Sequence, residues 1–191
     1  MGVTYFKRFR MEIDLNRVTI PSPTLPEGYA FVPWDATLLE RHAAAKYSSF
    51  RTEIDAQVFP CLGDAVGCLR LMNEIARRET FLPAATWLLA RVAPDGTCLE
   101  DCGTIQGISQ PLALGAVQNI GIVPSHRGLG LGRSLMLQSL CGFRGAKMAR
   151  VTLEVTAKNT PAVQLYRSLG FRLVRTTYKA VDIPTPVHSV R

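Results

Sequence analysis

The sequence predicts an α/β fold, a central sheet with helices packed on both of its faces. Two observations carry this reading. Runs with strand character recur at residues 5–15, 29–32, 87–92, 97–106, 116–123 and 151–156. Helical periodicity fills the intervals at 38–47, 65–78, 131–143 and 162–169, and strands mixed with helices in this way argue for layers on a sheet. At 191 residues and 21.0 kDa, with no repeat, low-complexity tract or linker, one domain spanning residues 1–191 is expected.

The elements follow in order. Tyr5, Phe9, Met11, Ile13 and Leu15 alternate with Arg8, Arg10, Glu12 and Asp14, the pattern of a half-buried strand. Pro21, Pro23 and Pro26 make the next stretch a loop, because proline removes a backbone donor. Tyr29–Val32 reads as a strand and Leu38–Tyr47 as an alanine-rich helix. Ala65–Arg78 places Leu69, Met72, Ile75 and Ala76 at helical spacing. Trp87–Val92, a turn at Pro94-Asp95-Gly96, and Thr97–Gln106 form a hairpin. Ala116–Val123 is β-branched and bounded by Pro124. In the helix that follows, Leu131, Leu135, Met136, Leu140 and Phe143 share one half of the wheel, with Arg133, Ser134, Gln138 and Arg144 on the other. Val151–Thr156 is a strand, and Asn159-Thr160-Pro161 offers a cap followed by proline at a first helical position. The helix Ala162–Leu169 stops at Gly170, and Phe171 begins the next apolar run.

Composition excludes several classes. The charge of +7 comes without an aromatic-basic motif or a recognition-helix pattern, so no nucleic-acid partner is expected. No apolar run reaches the length of a membrane span, and Lys7, Arg8 and Arg10 interrupt the N-terminus too often for a signal peptide. The five cysteines, 61, 68, 98, 102 and 141, are odd in number. Cys98 and Cys102 lack a second pair at ligand spacing, which argues against zinc and for reduced thiols in a cytoplasm.

The stretch Arg127-Gly128-Leu129-Gly130-Leu131-Gly132-Arg133 lies between a strand and a helix start. That arrangement aims backbone N–H groups and the positive end of a helix dipole at an anion, and glycine lets the anion approach the backbone. The spacing is neither that of a P-loop nor that of a dinucleotide fingerprint. It is Arg-x-x-Gly-x-Gly, with Arg127, Gly130 and Gly132. A glycine-rich turn without a ligand is the plainer alternative.

This loop resembles the acyl-coenzyme A loop of the GNAT superfamily of N-acetyltransferases. The string Leu153-Glu154-Val155, Asn159, Ala162, Leu165-Tyr166, Gly170-Phe171 resembles the second half of the same enzymes. It is closest to the bacterial ones that acetylate the N-terminal amine of ribosomal proteins. The likeness covers about residues 113–180, and no diagnostic residue precedes residue 84.

The resemblance implies a single-domain, mostly antiparallel mixed sheet whose fourth and fifth strands, 114–123 and 150–156, splay apart. It implies acetyl-coenzyme A as acyl donor and no metal. The pyrophosphate falls on Arg127, Gly128, Leu129, Gly130, Leu131, Gly132, Arg133 and Ser134, and the pantetheine arm on the backbone of Ile122 and Val123. Asn159 is placed on the pantetheine amide, a role compatible with a plain helix cap. The implied partner is an amine acceptor, and a homodimer stays open.

Acetyl transfer from a thioester to an amine needs a proton acceptor for the amine and a donor for the departing thiolate. By resemblance Tyr166 is the general acid; with an ordinary pKa of about 10 it holds its proton at neutral pH. By periodicity alone it also reads as a core aromatic beside Leu165 and Leu169. Glu154 shares a strand face with Thr152 and Thr156 and stands twelve residues before Tyr166, the spacing of the ribosomal-protein enzymes. It is the candidate base, acting through a water, and a solvent-facing role is its alternative. Many relatives carry a carboxylate on the fourth strand; Gln118 and Asn119 stand there instead, which favours Glu154 or a base-free mechanism.

An α-amine near pKa 7.8 is roughly a quarter neutral at physiological pH and a lysine roughly a thousandth, so a single modest base suits an α-amine or a weakly basic small amine. His126 reads as a neighbour of the phosphate loop, and His42 and His188 carry no assignment. A non-catalytic acyl-coenzyme A-binding regulator remains the competing function.

Overall fold

In a computed structural model describing residues 2–183, the chain forms one sheet of seven strands. The strands are β1 (Gly2–Asp14), β2 (Tyr29–Pro33), β3 (Trp87–Val92), β4 (Cys98–Gln110), β5 (Leu114–Ile122), β6 (Arg150–Thr156) and β7 (Arg172–Ile183). The helices are α1 (Leu39–Phe50), α2 (Ile54–Val58), α3 (Ala65–Ala76), α4 (Leu131–Gly145) and α5 (Thr160–Ser168). Each strand and helix expected from the pattern is present, with ends shifted by a few residues. The short α2 was not expected, being only 5 residues long and so lacking a readable period. His188 lies outside the described residues.

The strand order is β2-β3-β4-β5-β6-β1-β7, and every neighbouring pair is antiparallel except β5 and β6. β1 therefore does not lie beside β2. It crosses to the other flank, where Arg8–Asp14 pair with β6 and Gly2–Glu12 pair with β7. The fourth and fifth strands of the resemblance are consequently β5 and β6 here.

This placement corrects the reading of β1. Met11, Ile13 and Leu15 are buried as the alternation implies, yet Arg8 is buried too and Tyr5 is exposed. Residues 2–6 run past the end of β6 and pair only with β7, so their ribbon is open on both sides. Arg8 instead lies opposite Thr156, with its guanidinium 4.8 Å from the Phe59 ring centroid.

The core lies between the sheet and α4. Phe143 of α4 seats against Gly107 and Gly115, where any Cβ would come within 2.7 and 2.5 Å of its ring. The polar half of α4 is less solvated than its pattern suggests. Ser134 and Ser139 are buried, donating to the carbonyls of Thr24 and Ala85, and Arg144 donates to those of Leu15 and Val18. Short hydroxyls tolerate burial when a carbonyl accepts their proton, so polarity alone does not mark an exposed face.

β5 and β6 pair only from Leu114–Ala116 to Arg150–Thr152. Beyond that point they diverge, and the β4–β5 register shifts between Gln106 and Gly107. The resulting gap in the sheet is where the candidate site forms.

Candidate active site

Two cavities of about 400 and 410 Å³ meet in the gap, sharing Phe50, Asp55, Ile120, Asn159, Ala162 and Tyr166. The first is bounded by Arg8, Arg10, Phe59, Gln118, Asn119 and Glu154. The second runs along Gly121 and Ile122 to the glycine loop and to Pro161 and Leu165 of α5. Tyr166 thus stands at the junction of a cavity ending on the glycine loop and one ending on Glu154.

The loop has the geometry of an anion cradle. Gly128 and Gly130 adopt left-handed φ values of 81° and 76°, which other residues reach only with strain, and Gly130 caps α4 without a side-chain bond. The first backbone bond across this end runs from Ser134 N–H to Gly130 O. The N–H groups of Leu131, Gly132 and Arg133 therefore have no carbonyl partner among the described residues and point out of the helix start, where its dipole is positive. A Cβ added at Gly128 or Gly130 would meet nothing within 4 Å, so the concavity is open to a ligand.

The side chains around the loop behave differently from the expectation. Arg127 turns back into the protein, where Nε donates to Ile122 O at 3.0 Å, Nη1 to Glu53 Oε1 at 2.6 Å and Nη2 to Ser49 O at 3.0 Å. It braces the end of β5 against α1 instead of extending to a phosphate. Ser134 spends its hydroxyl on Thr24, and Leu129 is half exposed outside the lining of both cavities. Arg133, exposed and bonded among the described residues only to Ser168 Oγ at 3.1 Å, is the loop cation left at the cavity edge.

Strand geometry also corrects the pantetheine contacts. Val123 donates to Cys102 O at 2.8 Å and accepts from His126 N–H at 2.9 Å, so both of its backbone groups are committed. Hydrogen bonding in an antiparallel ladder alternates, so Val123 and Gly121 face β4 while Ile120 and Ile122 face the gap. Ile122 O is taken by Arg127. Ile120 and the N–H of Ile122 are the backbone groups that can meet an extended ligand.

Tyr166 is buried, its ring 5.9 Å from that of Phe171, and no described residue hydrogen-bonds its hydroxyl. Burial, reinforced by the negative charge of Asp55, pushes the phenol well above its ordinary pKa, so it stays protonated. Asn159 caps α5, its Oδ1 accepting from Ala162 N–H at 3.3 Å, while Nδ2 lies 3.4 Å from Asp55 Oδ2. Glu154 is half exposed at the mouth of the first cavity, 3.7 Å from Arg8 Nε. Thr152 and Thr156, on the same face, are buried beneath Arg10 and Arg8.

The profile of the Acetyltransferase (GNAT) family matches residues 63–171. The chain belongs to this family. A mycothiol acetyltransferase of Renibacterium salmoninarum is 42% identical over 185 residues, 89% of this chain and 48% of the relative. One of Acidothermus cellulolyticus is 48% identical over 98 residues, 51% of this chain and 29% of the relative. The chain thus spans about half or less of the length of these relatives. Among solved structures, a GCN5-related N-acetyltransferase of Sphaerobacter thermophilus superposes with a TM-score of 0.67 at 21% identity, covering 94% of this chain and 52% of the other. The ribosomal-protein-S18-alanine N-acetyltransferase of Escherichia coli gives 0.58 at 16%, covering 85% and 99%. These structures share the GNAT fold.

Sequence reasoning missed Arg8, Asp55, Phe59 and Lys46 around the candidate site. Asp55 accepts from Thr156 Oγ1 at 2.7 Å and so anchors the unforeseen α2 over β6. Lys46 is fully buried on α1, and its Nζ donates to Asn119 Oδ1 at 2.9 Å. Desolvation lowers this amine to about 7. A lysine inside an alanine-rich helix was the available signal, and its burial depends on packing against β5. His126 lines the second cavity, with Nδ1 2.9 Å from Tyr29 Oη.

Proposed function

We propose that the chain transfers the acetyl group of acetyl-coenzyme A to a primary amine by direct attack in a ternary complex. The observation that carries this reading is the position of Tyr166, shared by a cavity that ends on the glycine loop and one that ends on Glu154. The N–H groups of residues 128–133 and the Arg133 side chain fit a pyrophosphate, and Ile120 and the N–H of Ile122 offer a strand edge to an extended arm. Acetyl-coenzyme A supplies an activated acyl group on a thiolate leaving group.

Tyr166 donates the proton the leaving sulfur needs, and burial keeps that proton in place until transfer. Glu154 takes the proton of the amine through a water at the mouth of the first cavity. With Gln118 and Asn119 on β5 unable to act as bases, Glu154 is the carboxylate of the cavity least committed to protein partners; Asp55 is held by Thr156 and Asn159.

A single exposed carboxylate supports an acceptor with a substantial neutral fraction, such as an α-amine, over lysine. The curated relatives, named mycothiol acetyltransferases, support a small-molecule acceptor. The free cysteines among the described residues support a reducing cytoplasm as the compartment. The absent carboxylate on β5 also supports a second reading, a regulator that binds acyl-coenzyme A without turnover.

Incubation with acetyl-coenzyme A and a panel of amino-acid amides, short peptides, small amines and polyamines, followed by mass analysis of the products, tests the proposal. Acetylated α-amines are expected. Tight binding of acetyl-coenzyme A without any acetylated product would favour the regulator.

A further inference from the structure

The first cavity holds a cation that the chemistry above does not use. Arg8 has 8% of its side chain exposed, lines the cavity and lies over Phe59. Among the described residues, only Nη1 of its nitrogens is hydrogen-bonded, to Thr156 Oγ1 at 2.9 Å, and Nε has no partner. The two nearest carboxylates stop short of hydrogen-bond distance, Asp55 at 3.6 Å and Glu154 at 3.7 Å. Asp55 cannot close the distance freely, because Thr156 and Asn159 hold both of its oxygens. A buried guanidinium with unspent donors is costly until an oxygen reaches it.

We infer that Arg8 is a specificity determinant that binds an oxygen next to the reacting amine, so that the acceptor is an α-aminoacyl compound. In such a compound the amine and the carbonyl or carboxylate oxygen sit on adjacent carbons. A carboxylate and a guanidinium nitrogen 3.7 Å apart can serve both at once, Glu154 facing the ammonium across the water and Arg8 binding the oxygen. Arg10, whose Nε lies 3.2 Å from Thr152 Oγ1, adds positive charge on the same side. A simple alkylamine satisfies Glu154 and leaves Arg8 as it was. This inference rests on the amine-acceptor reading above and gives it a substrate class.

The test is calorimetry at pH 6 on the protein loaded with coenzyme A, titrated with alaninamide, alanine and isopropylamine, all of which then carry a cationic amine. Alaninamide, alanine or both are expected to bind about tenfold or more tightly than isopropylamine, and which of the two does so tells a carbonyl site from a carboxylate site. Arg8→Gln is expected to bring that ratio to within about threefold while coenzyme A affinity, read in the second cavity, is kept. Should Arg8→Gln lose coenzyme A binding through misfolding, Arg8→Lys, which keeps the charge and loses the planar fork, is expected to lower the ratio at least about threefold. Equal affinities in the wild type, no binding of any of the three, or a ratio unchanged by the substitution that folds would overturn the role of Arg8. Turnover separates this from the broader reading: equal acetylation of isopropylamine and alaninamide, corrected for neutral amine, leaves acetyl transfer standing and removes only Arg8.

Discussion

Tyr166 carries the sharpest consequence at the scale of single residues. Its hydroxyl is held by no described residue, and burial raises its pKa, so its proton is both retained and available. Tyr166→Phe keeps the ring against Phe171 and removes the proton. The expected outcome is a fall in kcat of about 10²-fold or more with coenzyme A affinity nearly unchanged, measured by steady-state kinetics and calorimetry. Turnover within about twofold of the wild type would reassign the residue to packing.

Glu154→Gln preserves shape and removes the proposed base. Its kcat/KM is expected to fall, with the loss shrinking as pH rises, because more of the amine is then already neutral. A loss that does not vary with pH would make Glu154 a positioning group. That Tyr166, Glu154 and Asn159 line the cavities agrees with their places in the family string, although periodicity alone reads Tyr166 as a core aromatic. Arg8 and Asp55 were not legible in the sequence. Alternation put Arg8 on the polar side of β1, and only the tertiary cover of α2 makes that side a buried cavity wall.

At the scale of elements, the glycine loop and α4 were readable in the chain because their geometry is local. Left-handed φ at Gly128 and Gly130 and an uncapped helix start follow from residue types within a few positions of one another. Gly130→Asp strains the backbone and places a carboxylate where the phosphates would lie. A folded variant is expected to show no measurable coenzyme A binding by calorimetry; unchanged affinity would remove the loop from the donor site. What the arginines do was not local. Arg127 reaches carbonyl and carboxylate groups of Ser49 and Glu53, far away in sequence, so its spacing to the glycines could suggest a phosphate ligand while the fold uses it as a brace. Val123 fell for a similar reason, since which strand edge faces the gap depends on the β4 register.

For the whole molecule, the sheet class was legible and its order was not, because nothing local says that β1 crosses to lie between β6 and β7. That crossing brings Arg8 to the first cavity. On the other side, Lys46 of α1 is buried against β5 with Asn119 as its bonded partner. Its amine is lowered to about 7 by desolvation, against about 10.4 when unfolded. Below pH 7 both states hold the proton and the cost of the buried charge is constant. Between pH 7 and about 10 the unfolded chain holds a proton the folded one has shed, so this group makes stability rise with pH. Lys46→Met is therefore expected to raise Tm most, and by a constant amount, below pH 7, with the advantage shrinking toward pH 9; an advantage that grows with pH would contradict the burial of a charge there.

The gap between β5 and β6 is the proposed donor site, with Tyr166 at the junction of its two cavities. A crystal structure with acetyl-coenzyme A bound tests this most directly. The expected result has the pyrophosphate on the N–H groups of residues 128–133, the arm along Ile120 and Ile122, and the thioester sulfur within hydrogen-bond reach of Tyr166 Oη. Acetyl-coenzyme A bound elsewhere on the protein, or in the gap with its sulfur away from Tyr166, would contradict it.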